Sequence, residues 1–273
     1  MRRDATKTGA LADRTIAHFG EQWTNFRDNE GYYGSAALFA DMCAPLLSPD
    51  DVRERRVADV GSGTGRIVRM LVDAGAAHVV AVEPSAAYDV LRRNVADFGD
   101  RVECMRATGD ALPRDRGFDL VTSIGVLHHI PDPAPVVRAA FEALRPGGRL
   151  FVWLYGREGN RAYLAATQPL RAVTTRLPHG AVSALAKLLN LALKPYVRAS
   201  RAVPLPLSRY FVEVFGRMTR DKQVLIIYDQ LRPAYAKYYT RAEACALLTS
   251  AGFTGVQAHH RHGYSWAVVG TRP

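Results

Sequence analysis

The residues best suited to chemistry begin with Val57-Ala58-Asp59-Val60-Gly61-Ser62-Gly63-Thr64-Gly65, an apolar run that passes through an acid into a glycine-rich turn. Glycines at this density let a ligand approach the backbone and let some residues take φ > 0. The spacing departs from the dinucleotide fingerprint G-x-G-x-x-G: Gly65 comes one residue early, and Arg66 stands where that fingerprint needs glycine. Asp59 at the strand end would repel a pyrophosphate and attract a ligand presenting an ammonium group. A second acid, Glu83, follows Val80-Ala81-Val82, and His128 and His129 follow a later apolar run. Histidine suits general-base work near neutrality, so this pair marks a candidate point of proton removal from an acceptor. A reading in which these histidines only shape their loop stays open.

Such residues must be held by the elements around them. Val57–Val60, His78–Val82, Val102–Met105, Phe118–Ser123 and Arg149–Leu154 read as strands, and Gly65–Ala74, Ser85–Phe98 and Pro133–Leu144 as helices between them. This alternation predicts a parallel sheet covered on both faces. Ser85 is expected to N-cap its helix after Pro84, and Pro146-Gly147-Gly148 to stop the helix ending near Leu144. From about residue 156 to 238 the rhythm breaks, with six prolines, including Pro233, and two helix-like runs, Ala181–Tyr196 and Tyr210–Gln230. Thr240–Ala251 then reads as a helix with Thr240 and Glu243 in capping-box register. Gly255–His260 and Tyr264–Val269 read as two strands around a turn at His262-Gly263, completing the sheet opened at Val57. The expected organisation is an N-terminal helical segment (1–50) covering the site, a core of 51–155 with 240–273, and a basic helical cap at 156–239. Phe19, Trp23, Phe26, Tyr32, Tyr33 and Phe39 would pack the first segment onto the sheet, or some would close over a ligand at its carboxyl edge.

In their order, these motifs resemble the class I S-adenosylmethionine-dependent methyltransferases. The resemblance spans about residues 55–155 and, more loosely, 240–272. It implies an α/β fold: a Rossmann-like, doubly wound, seven-stranded sheet, mostly parallel with an antiparallel last strand, plus a mainly helical inserted cap. It implies S-adenosyl-L-methionine as cofactor, held by Asp59, Gly61, Ser62, Gly63, Gly65 and Pro84, with Glu83 at the ribose hydroxyls. Gly109-Asp110-Ala111-Leu112-Pro113 matches the adenine-contacting segment, where Asp110 would accept from the exocyclic amine and Ala111 would lie beside the ring. Ser123, at the end of the fourth strand, and Ile124 after it are further cofactor-binding candidates, ahead of Leu127-His128-His129-Ile130, and Leu144–Leu150 matches the turn into the fifth strand. His129 and His128 are then the candidate base or acceptor-orienting groups, and no metal is implied. The implied chemistry is an in-line displacement in which positioning supplies much of the acceleration.

Charge points to the acceptor side. Lys and Arg total 36 against 26 acids in 273 residues, a net of +10. Arg157 to Lys237 holds fourteen basic residues and four acids, so the whole excess lies in the expected cap. A segregated excess suggests an anionic partner. The reading is therefore a small acceptor, anionic or carrier-linked, methylated on oxygen or carbon, with Tyr32, Tyr33, Arg161, Arg232, Tyr235 and Tyr238 at its site. Arg171, Arg176 and Arg209 are further anion-binding candidates, and Tyr228 and Tyr239 further aromatics of the pocket. No Asn/Asp-Pro-Pro-aromatic tetrapeptide occurs; the corresponding stretch reads His128-His129-Ile130-Pro131-Asp132. A nucleic-acid methyltransferase using the basic segment, and a non-catalytic cofactor-binding protein, are the alternatives. Ala181–Tyr196 reads as a core helix of the cap, ahead of a dimer contact or a membrane-surface helix. Apolar residues at 48%, no apolar run near the ~18 residues of a membrane span, and three scattered cysteines predict a globular cytoplasmic protein without a secretory signal.

Overall fold

Seven strands form one sheet among the described residues: β1 (Arg56–Val60), β2 (His78–Val82), β3 (Val102–Met105), β4 (Phe118–Ile124), β5 (Leu144–Tyr155), β6 (Thr254–Arg261) and β7 (Ser265–Thr271). Their order is β3-β2-β1-β4-β5-β7-β6. β1 to β5 are parallel, and β7 runs antiparallel to both β5 and β6. The computed structural model describes residues 2–232 and 235–273, with side chains of the first helix from Thr8 onward. Met1, in the expected N-terminal segment, and Pro233 and Ala234, in the expected cap, lie outside the described residues.

The inner strands are mostly apolar because both faces of the sheet are covered there. Val57, Val79, Ala81 and Phe151 face one core layer, whereas Ala58, Val80, Val82, Leu150 and Val152 face the other, as the two-residue period of a strand requires. Helices α2 (Ala36–Cys43) and α3 (Arg66–Asp73) supply Phe39, Ile67 and Leu71 to the first layer. Helix α5 (Ala134–Ala143) and the later α10 (Arg241–Thr249) supply Val137, Ala140 and Leu248 to the second. The expected capping box is present: Thr240 accepts from the Glu243 amide, and Glu243 accepts from the Thr240 amide. The turn at His262-Gly263 has φ of 48° and 75°, the left-handed pair that a tight hairpin needs.

Three local expectations are corrected. Helix α4 spans only Tyr88–Asn94, because Ser85 folds its own turn, its Oγ accepting from the Ala87 amide. Pro146–Gly148 lie within β5, which begins at Leu144, directly after α5. The run Tyr210–Gln230 is two helices, α8 (Ser208–Glu213) and α9 (Arg220–Leu231), broken where Thr219 caps α9 by accepting from the Lys222 amide.

Between β5 and α10 lie α6 (Arg161–Thr174), α7 (His179–Ala199), α8 and α9, which share a core of Val182, Ala186, Phe215, Val224, Ile227, Tyr228 and Leu231. The first helix, α1 (Arg2–Asn25), is followed by a 3₁₀ turn at Gly31–Gly34 and then α2. Two buried cations hold this region to the rest. Lys222 of α9 pairs with Asp28 at 2.8 Å. Arg261 of β6 pairs with Asp41 of α2, which also accepts from His262 Nε2 at 2.8 Å. Arg261 is 3% exposed and Asp41 28%, so Asp41→Ala strands a buried charge. Its expected cost is about 3 kcal/mol, the low end for a broken buried pair because water reaches Asp41. A urea-unfolding midpoint unchanged by this substitution would refute that.

Candidate active site

The strand order reverses between β1 and β4, which opens a crevice at the carboxyl ends of the strands. A cavity of about 940 Å³ lies there, extending from the glycine loop to the inserted helices. The loop after β1 keeps it open. Gly61 has φ +78°, and a Cβ on it would lie 2.6 Å from both methyls of Val126. Gly63 has φ +54°, and the Trp23 indole would sit 3.4 Å from its Cβ. The segment after α1 is fastened to this loop: Thr64 Oγ1 donates to Asn29 Oδ1 at 2.7 Å, and Asn29 Nδ2 donates to the Thr64 carbonyl at 3.1 Å.

The acids at the strand ends are in three different states. Glu83 lines the cavity; the Gly63 amide donates to its Oε2 at 2.8 Å and the Ser85 amide to its Oε1 at 2.9 Å. Each oxygen keeps a second lone pair for a ligand. Asp59 is 1% exposed and lies behind the cavity wall. Thr122 donates to its Oδ1 at 2.8 Å, while Oδ2 is buried without a partner. Burial pushes its carboxyl up to about 6, against the lowering effect of the Thr122 hydroxyl. Asp110 is exposed at the cavity edge.

Of the other expected cofactor residues, Gly61, Ser62, Gly63, Pro84 and Ile124 line the cavity. Gly65, Ala111 and Ser123 do not. Gly65 is the N-cap of α3, and Ser123 is buried within β4, its hydroxyl directed at the Val60 carbonyl.

The two histidines have different surroundings. His129 lines the cavity, and its Nδ1 is 2.7 Å from the Tyr235 carbonyl. A carbonyl only accepts, so Nδ1 carries the hydrogen and Nε2 keeps the basic lone pair. Burial holds the His129 pKa below the usual histidine value, against the opposing pull of the Asp229 charge. His128 is fully buried, does not line the cavity, and stacks on Tyr155 with ring centroids 3.8 Å apart. That placement removes His128 from direct contact with an acceptor.

The acceptor-side expectations divide similarly. Tyr33 and Tyr238 line the cavity, whereas Tyr32, Arg161, Arg232 and Tyr235 do not. Tyr32 donates to the Glu213 carbonyl under the Arg217 guanidinium, and Arg232 turns to Glu21 at 3.8 Å. Arg161, Arg176 and Arg209 are exposed, and Arg171 is spent on Gln230 and Tyr238. Stripping water from these guanidiniums would cost more than an apolar chamber returns, so the charge points outward. The cations that do line the cavity are occupied: Arg261 by Asp41, and Arg66 by the Tyr33 ring at 4.2 Å. A positively charged roof is therefore replaced by an apolar one containing Leu170, Leu189, Leu193, Phe211, Phe215 and Ile226.

One carboxylate interrupts that apolar wall, and sequence reasoning passed it over. Asp229 of α9 accepts from Gln22 Nε2 at 3.2 Å and from the Tyr155 hydroxyl at 3.0 Å. Gln230 donates to the Tyr155 oxygen at 2.7 Å and accepts from Tyr163 at 2.7 Å. Tyr155, Tyr163, Asp229, Gln230 and His129 all line the cavity. The available signal was a lone acid in the otherwise basic stretch Lys222–Lys237.

Residues 58–152 match the family described as "Methyltransferase domain". They form a class I S-adenosylmethionine-dependent methyltransferase domain. A ubiquinone biosynthesis O-methyltransferase of Aromatoleum aromaticum is 33% identical over 129 residues, 46% of this chain and 54% of that protein. The chain spans about half the length of the curated relatives it matches. Two solved structures share the fold across nearly the whole chain. An S-adenosylmethionine-dependent methyltransferase of Thermotoga maritima has a TM-score of 0.54 at 18% identity, covering 94% of this chain and 100% of that one. The magnesium protoporphyrin IX methyltransferase of Synechocystis has a TM-score of 0.55 at 15% identity, covering 97% and 99%.

The cofactor of such a domain is S-adenosylmethionine, and the residues present fit it. The methyltransferase domain offers a glycine loop whose Gly61, Ser62 and Gly63 line the cavity, and a carboxylate, Glu83, fixed there by two amides. Asp59 also gives the ligand-free protein a pH signature. Its folded pKa, about 6, lies above the usual aspartate value of 3.8, so its stabilising contribution is complete below pH ~4 and is lost as pH rises to ~6. Between pH 4 and 7, wild type should lose on the order of 2–3 kcal/mol relative to Asp59→Asn. Parallel unfolding curves for the two proteins across that window would contradict this.

Proposed function

We propose that the protein is an O-methyltransferase whose acceptor is a small, largely apolar molecule carrying a hydroxyl group. The observation that carries this reading is His129, with Nε2 as its basic nitrogen, lining an apolar cavity together with the Asp229 carboxylate. The curated relatives, named as ubiquinone biosynthesis O-methyltransferases, support the oxygen acceptor. In this reading residues 51–155 and 240–273 bind the cofactor, 1–50 cover it, and 156–239 enclose the acceptor.

Glu83 would hold the ribose hydroxyls, Asp110 would accept from the adenine amine, and the backbone of Gly61–Gly63 would carry the rest of the nucleoside. Bound S-adenosylmethionine supplies an electrophilic methyl group on a sulfonium. His129 Nε2 takes the acceptor's hydroxyl proton, and the nearby Asp229 charge favours the imidazolium that results. Tyr155 stays protonated, because burial and then the Asp229 charge push its hydroxyl well above the usual tyrosine range. Its hydrogen bond therefore keeps the carboxylate fixed. The same carboxylate would repel an anionic group, so the anionic acceptor expected from charge counting is set aside.

Incubation with labelled methyl donor and a panel of phenols, catechols, alkanols, amines and carboxylic acids tests the proposal by mass spectrometry. Label on a phenol or alcohol oxygen is the expected result. Transfer confined to carboxylates or nucleic acid would overturn it. Transfer to an amine would instead make Asp229 an ammonium site.

A further inference from the structure

The outer face of the inserted helices carries two features that the methyltransferase site does not use. From Gly159 to Val212 the chain has no acidic residue and eight basic ones. The large hydrophobic side chains most exposed among the described residues are Val173, Leu188, Leu191 and Val203, all within that same stretch. Leu188 is 63% exposed and Leu191 58%.

On α7 these features form a pattern. At about 100° per residue, Lys194, Lys187 and Arg198 fall within one narrow arc, and Leu191, Ala184, Pro195, Leu188 and Ala192 follow beside it. All eight are exposed. Lys187, Lys194 and Arg198 form no ion pair among the described residues. The opposite side of α7 carries Leu189, Leu193 and Tyr196, which line the acceptor cavity. One helix thus separates the chamber from a solvent face that is both greasy and cationic.

We propose that this face of α7 docks flat on an anionic lipid surface, with Leu188 and Leu191 entering the interface and Lys187, Lys194 and Arg198 meeting lipid phosphates. An interfacial helix needs an apolar stripe beside a basic one, and this arc supplies both. No helix among the described residues is long and apolar enough to cross a membrane, so the contact is with the surface. A second copy of the chain is a poor occupant, because a two-fold contact would set cations against cations with no acid in the stretch to offset them. Nucleic acid would explain the cations but not the leucines.

Vesicle co-sedimentation of the full chain tests this without any methyl transfer, so it can fail while the O-methyltransferase reading stands. Binding to vesicles of phosphatidylcholine with phosphatidylglycerol should exceed binding to phosphatidylcholine alone by about tenfold or more. Leu188→Ser with Leu191→Ser, and separately Lys187→Glu with Lys194→Glu, should each lower that binding by about tenfold. All four side chains are exposed, and unchanged S-adenosylhomocysteine affinity certifies the fold. Equal binding to the two vesicle types would overturn the proposal. So would displacement by polyuridylate with the serine variant unaffected, or a dimer that the serine variant converts to monomer.

Discussion

His129→Gln is expected to lower kcat by about 10²–10³-fold, the usual loss when a positioned base is removed. S-adenosylhomocysteine affinity should stay within about twofold, because the expected loss is of a proton acceptor and not of a binding contact. The orientation of His129 makes the expectation sharp. The Tyr235 carbonyl engages Nδ1, so the lone pair resides on Nε2. Burial lowers its pKa below 6.5, so activity should persist below pH 6.5 and fall only as the imidazole protonates at still lower pH. Asp229→Asn should also lower kcat and should move the acidic limb downward, because the Asp229 charge favours the imidazolium and its loss lowers the His129 pKa. The measured limb should therefore move to lower pH, not higher, in Asp229→Asn, with a reduced plateau. His128→Phe is the control: the ring stacks on Tyr155 away from the cavity, and kcat should change by less than about tenfold. A His129→Gln enzyme with wild-type kcat would remove the base from the mechanism.

Glu83→Ala should weaken S-adenosylhomocysteine binding by about 10–150-fold, the equivalent of ~1.5–3 kcal/mol for one hydrogen bond to a charged group. Two effects act together. The ligand loses its acceptor, and the amides of Gly63 and Ser85 lose the carboxylate that orients them. Glu83→Gln is not a mild substitute here. Both oxygens accept from backbone N–H groups, so an amide nitrogen in either position would confront a donor with a donor. Calorimetric titration distinguishes these outcomes, and an unchanged dissociation constant in the alanine variant would displace the ribose from Glu83.

The sheet was readable because its inner strands are buried on both faces, leaving runs such as His78–Val82 with no competing helical period. The glycine loop was readable because positive φ at Gly61 and Gly63 restricts which residues can stand there. The acceptor side was not. Charge counting located the arginines along the chain but not which way they face, and desolvation turns them out of the cavity. The apolar spacing of Tyr210–Gln230 runs through the break at Val214–Thr219, so one helix was expected where there are two. Asp229 depends on Gln22 and Tyr155, residues 207 and 74 positions away, a juxtaposition that no local pattern encodes.

The clasp between Asn29 and Thr64 sets conditions on turnover as well as on shape. The strip of chain after α1 is tied to the glycine loop, which the proposed function gives to the nucleoside, so in that reading the clasp lies beside the path by which spent donor leaves. Residence time of the by-product then has a handle at Asn29.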